Sequence, residues 1–139
     1  MVSSMDEESK KILIKNSIEK SFSALNSAKK ALEYSDSEVC ANRVYYAIFY
    51  AVLALGYFEN FVSSKHKQLM GWFNKMFIYD KNIFPHKMLE IYRNSFSNRQ
   101  ESDYNISEPS SMELVELKKS IEDAEYFINS VIQYLKYEK

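Results

Sequence analysis

The run over residues 42–57, NRVYYAIFYAVLALGY, constrains this chain more than any other stretch. From Val44 to Leu55 every residue is apolar or aromatic, with alanine at 47, 51 and 54. A helix apolar on all sides has no solvent face, so it must be wrapped by other helices or by lipid. Crossing a bilayer takes roughly 20 apolar residues, and Gly56 and Glu59 interrupt the run before that. A short apolar run also fits a buried strand, but the length and the alanines favour helix. The alanines let neighbouring helices approach, while Tyr45, Tyr46, Phe49 and Tyr50 fill the space between. The stretch reads as the buried central helix of an all-α domain. Arg43, at its N-terminal end, opposes the helix dipole. Either a specific acidic partner or a snorkelling surface position is expected for it.

Composition agrees. Two glycines and two prolines in 139 residues are too few for the turns of a β-sandwich. A single domain over residues 1–139 is expected, an up-and-down bundle of four to five helices. The lone Cys40 excludes an internal disulfide and a Cys-rich metal site, and reads as a buried structural thiol. The first residues, MVSSMDEE, carry acids and no apolar run, unlike a signal peptide. A cytoplasmic location without membrane association is the expectation. A net charge of −1 argues against indiscriminate nucleic-acid binding. Its distribution is uneven: residues 61–100 carry seven Lys/Arg against two acids, and residues 101–139 nine acids against four lysines. Such segregation makes a basic face for an anionic partner, or draws helices together within a bundle or dimer.

Helical periodicity marks the other elements. Ile14, Ile18, Phe22, Leu25, Ala28 and Leu32 form one stripe over residues 6–34. Ser35 and Glu38 are spaced as a capping box opening the second helix, and Gly56 with Asn60 can supply left-handed backbone at its end. Ser63 and Ser64 are placed to cap a third helix over residues 65–79, with Leu69, Phe73, Met76 and Phe77 inward. Pro85 suits the first position of a fourth helix, whose stripe is Met88, Tyr92 and Phe96. The same spacing continues onto Arg99 and Asp103, which therefore extend the buried stripe as an i, i+4 pair. A fifth helix repeats Leu114, Leu117, Ile121, Ala124, Ile128, Val131 and Leu135, nearly a heptad, suited to bundle packing or to a second copy of the chain.

The chain has no glycine-rich phosphate loop, no Cys or His metal pattern and no nucleophile elbow. Neither histidine follows a glutamate by three residues, so the di-metal bundle signature is missing. No metal and no cofactor are expected. His86 follows Pro85 and reads as an exposed structural residue. His66 lies between Lys65 and Lys67 in the first turn of the third helix, where cations are disfavoured unless an anion sits there. Tyrosines, eleven in all, can stack bases, but those of the central helix read first as core.

Three segments together resemble the HEPN domain superfamily, most closely its small stand-alone bacterial and archaeal proteins. They are Asn42-Arg43-Val-Tyr45-Tyr46-Ala-Ile-Phe49-Tyr50-Ala, then Ser64-Lys-His66-Lys67, then Arg99-Gln100 followed by Asp103-Tyr104. The resemblance implies a helical bundle that dimerises with its Arg motif near the two-fold axis. It also implies metal-independent RNA cleavage, as in many of its members, and a toxin role paired with a small nucleotidyltransferase antitoxin, as in many of them. The family's catalytic signature is an Arg followed, four to six residues later, by a His. Here Arg99 supplies the Arg, while Asp103, Tyr104 and Asn105 occupy the window of the His.

Three readings stand open. In the first the protein is a dimeric binding module, with Arg99, Arg43, Tyr46, Lys65, His66 and Lys67 holding a nucleotide, RNA phosphate or partner protein. It would act beside a nucleotidyltransferase in a toxin–antitoxin-like or RNA-related stress system. In the second it is a ribonuclease toxin in which Tyr104, Asp103 or His66 replaces the missing His, and Tyr104 is also a candidate for modification. In the third the arginines form buried ion pairs that only fix helix register.

Overall fold

The apolar run is helical and buried, as its pattern requires. In a computed structural model, which describes residues 6–102 and 111–136, it forms the middle of α2 (Ser37–Phe58). Around it stand α1 (Glu7–Glu33), α3 (His66–Phe73), α4 (His86–Ser102) and α5 (Ser111–Leu135). No strand occurs among the described residues. The chain is an all-α bundle with α2 at its centre: α1 packs along α2, and α4 and α5 close its other sides. Among the described helices α2 is the one long and apolar enough to cross a membrane, yet most of it is buried within the protein. Each fully buried large apolar side chain stabilises by about 1.5–3 kcal/mol, and the core draws on all five helices.

The face of α1 turned to α2 is smaller than its hydrophobic stripe suggests. Ser17, Ser21, Ala24, Ala28 and Ala31 are buried together with Ile18 and Leu25, while Ile14, Phe22 and Leu32 stay half-buried. The small residues on this face let α1 pack closely along α2. The buried Ser21 hydroxyl donates to the Ala47 carbonyl at 2.6 Å.

The turn between α1 and α2 differs from the expected capping box. Asp36, not Ser35, is the N-cap, its carboxylate accepting from the Val39 N–H at 3.1 Å. Ser35 has φ 57° and ends α1, with Ser35 N–H donating to the Leu32 carbonyl and Asp36 N–H to the Ala31 carbonyl. This double bond pattern is the left-handed helix stop usually built with glycine. The end of α2 repeats it with Asn60 at φ 62°, and Phe61 N–H donates to the Gly56 carbonyl at 2.8 Å. Gly56 is not itself left-handed. It is needed because a Cβ there would stand 2.4 Å from the Phe61 carbonyl oxygen.

The third helix is shorter than its stripe. After Phe73 the chain widens into a π-helical segment, Asn74–Asp80, in which Phe77 and Ile78 are both buried. Its N-cap is Lys65 rather than a serine, although Ser63 Oγ accepts from Lys65 N–H at 3.2 Å. In α5 the near-heptad residues Leu117, Ile121, Ala124, Ile128 and Val131 are buried, and so is Phe127, which that spacing omits. Phe127 packs on Phe73 and Tyr92, with ring centroids 5.3 and 5.8 Å away.

Candidate functional site

Packing of α4 against α2 carries the α4 stripe onto the aromatic middle of α2. Met88 and Tyr92 are buried, Phe96 is half-buried, and the next residue along, Arg99, is half-buried in the last turn, where the helix dipole favours a cation. Its guanidinium carbon lies 5.4 Å from the ring centroids of both Tyr45 and Tyr46, inside the range of cation–π attraction. Arg99 Nε is buried and has no hydrogen-bond partner among the described residues. From the other direction Arg43 places its guanidinium carbon 5.1 Å from the same Tyr46 ring.

Arg43 makes no ion pair among the described residues. It donates from Nε and Nη2 to the Asn42 side-chain oxygen at 3.0 and 2.8 Å. Of the two expectations for it, the acidic partner is not found among the described residues, and this amide and the Tyr46 ring take its place. The reason is positional: Arg43 is the seventh residue of α2, beyond the first turn in which the dipole acts strongly.

His66, first residue of α3, joins the same cluster. Its ring stacks on Phe49 at 4.6 Å and on Tyr45 at 5.4 Å, and meets the Tyr46 ring edge-on at 5.8 Å. Nδ1 of His66 is hydrogen-bonded to the Tyr45 hydroxyl at 2.5 Å. Burial, and then the Arg99 charge, lower the His66 pKa below the ordinary histidine value. Burial raises the Tyr45 pKa above the usual phenol range, against an opposing pull from Arg99.

The fold thus brings Arg43, Tyr46, His66 and Arg99 together. Lys65 and Lys67 are exposed on either side of His66 in sequence. Asp103 and Tyr104 lie outside the described residues, as does the expected Arg99–Asp103 pair. His86 is exposed and sits 3.6 Å from Glu90. Cys40 is fully buried, and burial pushes its thiol up to about 11. Tyr45 is the residue that sequence reasoning left to core packing. Its hydroxyl reaches His66 across 21 residues, and the sole hint was its place in the aromatic run before a Lys-His-Lys turn.

A bundle centred on an apolar helix, with an arginine at the end of α4 over that helix's tyrosines, defines a class. The family model of the HEPN domain matches residues 14–135. The chain belongs to the HEPN domain family. Among curated proteins it is 30% identical over 107 residues to the "UPF0332 protein" of Thermotoga maritima, an alignment covering 77% of this chain and 79% of that one. It is 29% identical over 125 residues to a protein of Methanocaldococcus jannaschii named "Putative toxin", covering 80% and 78% of the two chains.

Proposed function

We propose that this HEPN protein is a phosphate-recognising module that binds RNA or a nucleotide through Arg99, with Arg43, Tyr46 and His66 completing the site and Lys65 and Lys67 drawing the anion in. One observation carries the reading: two guanidinium groups flank one tyrosine ring, Arg99 keeps a buried, unpartnered Nε, and no carboxylate pairs with either arginine among the described residues. An unmade buried donor is costly, and positive charge in a half-buried place suits a phosphate, which accepts bidentate bonds from guanidinium. Tyr46 adds a ring face on which a base can stack. Of the register-pin reading, the Arg99–Asp103 pair lies outside the described residues, while Arg43 contacts the Asn42 amide and the Tyr46 ring.

A second reading is favoured by the position of His66. The family's missing motif histidine has a counterpart in space, since His66 touches both rings that carry Arg99. A metal-independent ribonuclease would use Arg99 to stabilise phosphate charge and His66 for proton transfer. The toxin name of one relative supports a toxin-like role, and a homodimer acting beside a small nucleotidyltransferase is part of this proposal.

The deciding experiment incubates labelled single-stranded RNA with purified wild type, Arg99→Ala and His66→Gln in the presence of a chelator. Binding without cleavage, weakened in Arg99→Ala, is the expected result. Cleavage lost in both variants establishes the second reading. RNA neither bound nor cut by a folded wild type contradicts both.

A further inference from the structure

One hydrogen lies between the Tyr45 hydroxyl and His66 Nδ1, and which atom owns it fixes what His66 can do. Tyr45 is fully buried, and burial holds its hydroxyl protonated. Were Nδ1 to donate, the tyrosine proton would need a second acceptor, and His66 is the one hydrogen-bond partner of that hydroxyl among the described residues. A buried donor left unmade costs more than a made bond returns. The tyrosine is therefore the donor and Nδ1 the acceptor.

We propose that Tyr45 is a positioning residue that holds His66 as the neutral tautomer with its hydrogen on Nε2, so that His66 serves the site as a fixed hydrogen-bond donor to a phosphate oxygen beside Arg99. The inference rests on the phosphate-binding reading for its ligand, but the tautomer itself does not. The packing supports it. Phe49 stacks at 4.6 Å with the rings only 20° apart, which sets the plane of the imidazole. The neighbours of His66 are Tyr45, Tyr46 and Phe49 from α2 and Arg99 from α4, with Lys65 and Lys67 on its own segment. Every charged group among them is positive, and no carboxylate pairs with His66 among the described residues. Burial first, and then the Arg99 charge, lower the His66 pKa in that setting.

The lock separates recognition from cleavage. With Nδ1 engaged by Tyr45 and Nε2 carrying a hydrogen, neither nitrogen has a free lone pair to take the proton of a ribose 2′-hydroxyl. His66 can donate but not abstract.

Long-range nitrogen–proton NMR correlations of the histidine rings in the intact protein read the tautomer, with His66 assigned by its loss in His66→Gln. Wild type is expected to show the Nε2–H form and a titration midpoint below that of free histidine. Tyr45→Phe keeps the ring and removes the hydroxyl. It is expected to populate both tautomers and to move the midpoint up, because a bond donated to the neutral form is lost. A purely structural Tyr45 would lower the melting temperature and leave tautomer and midpoint alone. An Nδ1–H form in wild type, or an unchanged spectrum in Tyr45→Phe, overturns the proposal. If Tyr45→Phe fails to fold, the wild-type tautomer decides alone.

Affinity for a labelled oligouridylate adds the ligand arm. Wild type is expected to bind with little change between pH 8 and 6, whereas Tyr45→Phe tightens by about threefold toward pH 6 as an imidazolium forms beside the phosphate. An Nε2–H tautomer in a wild type that binds no oligouridylate would keep the lock and overturn its role toward phosphate, and the phosphate reading with it.

Discussion

The Arg99 guanidinium rests 5.4 Å from the ring centroid of Tyr45, so the site's main cation is held by an aromatic face. Cation–π contact with a ring leaves the edge of the guanidinium open to an anion. A lysine keeps the charge but not the plane. Arg99→Lys should therefore bind oligonucleotide more weakly than wild type and more tightly than Arg99→Ala, measured by fluorescence anisotropy. Equal binding by the lysine variant and wild type would show that charge alone matters.

The pH dependence of stability follows from His66. Its pKa is lowered in the folded state, so below the unfolded value near 6.5 the unfolded chain binds more protons. Stability then rises with pH. The contribution of His66 is intact above about pH 6.5 and is lost as pH falls from there through the lower folded-state value. Urea unfolding between pH 7.5 and pH 5 should show a smaller loss of stability in His66→Gln than in wild type. Parallel curves for the two proteins would refute this.

The two glycines give opposite predictions. Gly56→Ala drives a Cβ into the Phe61 carbonyl oxygen at 2.4 Å, between backbones that cannot move apart cheaply, and should cost about 1–3 kcal/mol. Gly71→Ala meets nothing within 4 Å on an exposed face of α3, and should add about 0.5–1 kcal/mol. Chemical denaturation of both variants checks the pair. A neutral Gly56→Ala would contradict the tight stop at the end of α2.

The α1–α2 turn can be dissected in the same way. Asp36→Ala removes the cap on Val39 N–H and should cost about 1 kcal/mol. Ser35→Gly relieves a left-handed serine at φ 57° and should stabilise by about 1 kcal/mol. A box led by Ser35 would give a loss for Ser35→Gly instead.

These cases show where the sequence was readable. The five helices and the central role of α2 followed from periodicity, because burial of an apolar face dominates over a dozen or more residues. Arg99 was legible because it continues the Met88–Tyr92–Phe96 spacing. The shift of the cap from Ser35 to Asp36 was not, since two neighbouring residues can both cap and only the stop of α1 decides between them. The π-helical turn at Asn74–Asp80 leaves no signal in a stripe that fits an ordinary helix. The narrow face of α1 was hidden because serine and alanine score weakly as core, yet close approach to α2 selects them. The Tyr45–His66 bond joins residues on different helices, and no local pattern records it.

Under the proposed function, the Arg99 cluster binds phosphate. The most direct measurement compares labelled single-stranded RNA binding to wild type and Arg99→Ala at two salt concentrations, with melting temperature taken on the same samples. Arg99→Ala is expected to stay folded, to lose about tenfold or more in affinity, and to depend less steeply on salt because one phosphate contact is gone. Equal affinity and equal salt dependence in a folded Arg99→Ala protein would contradict it.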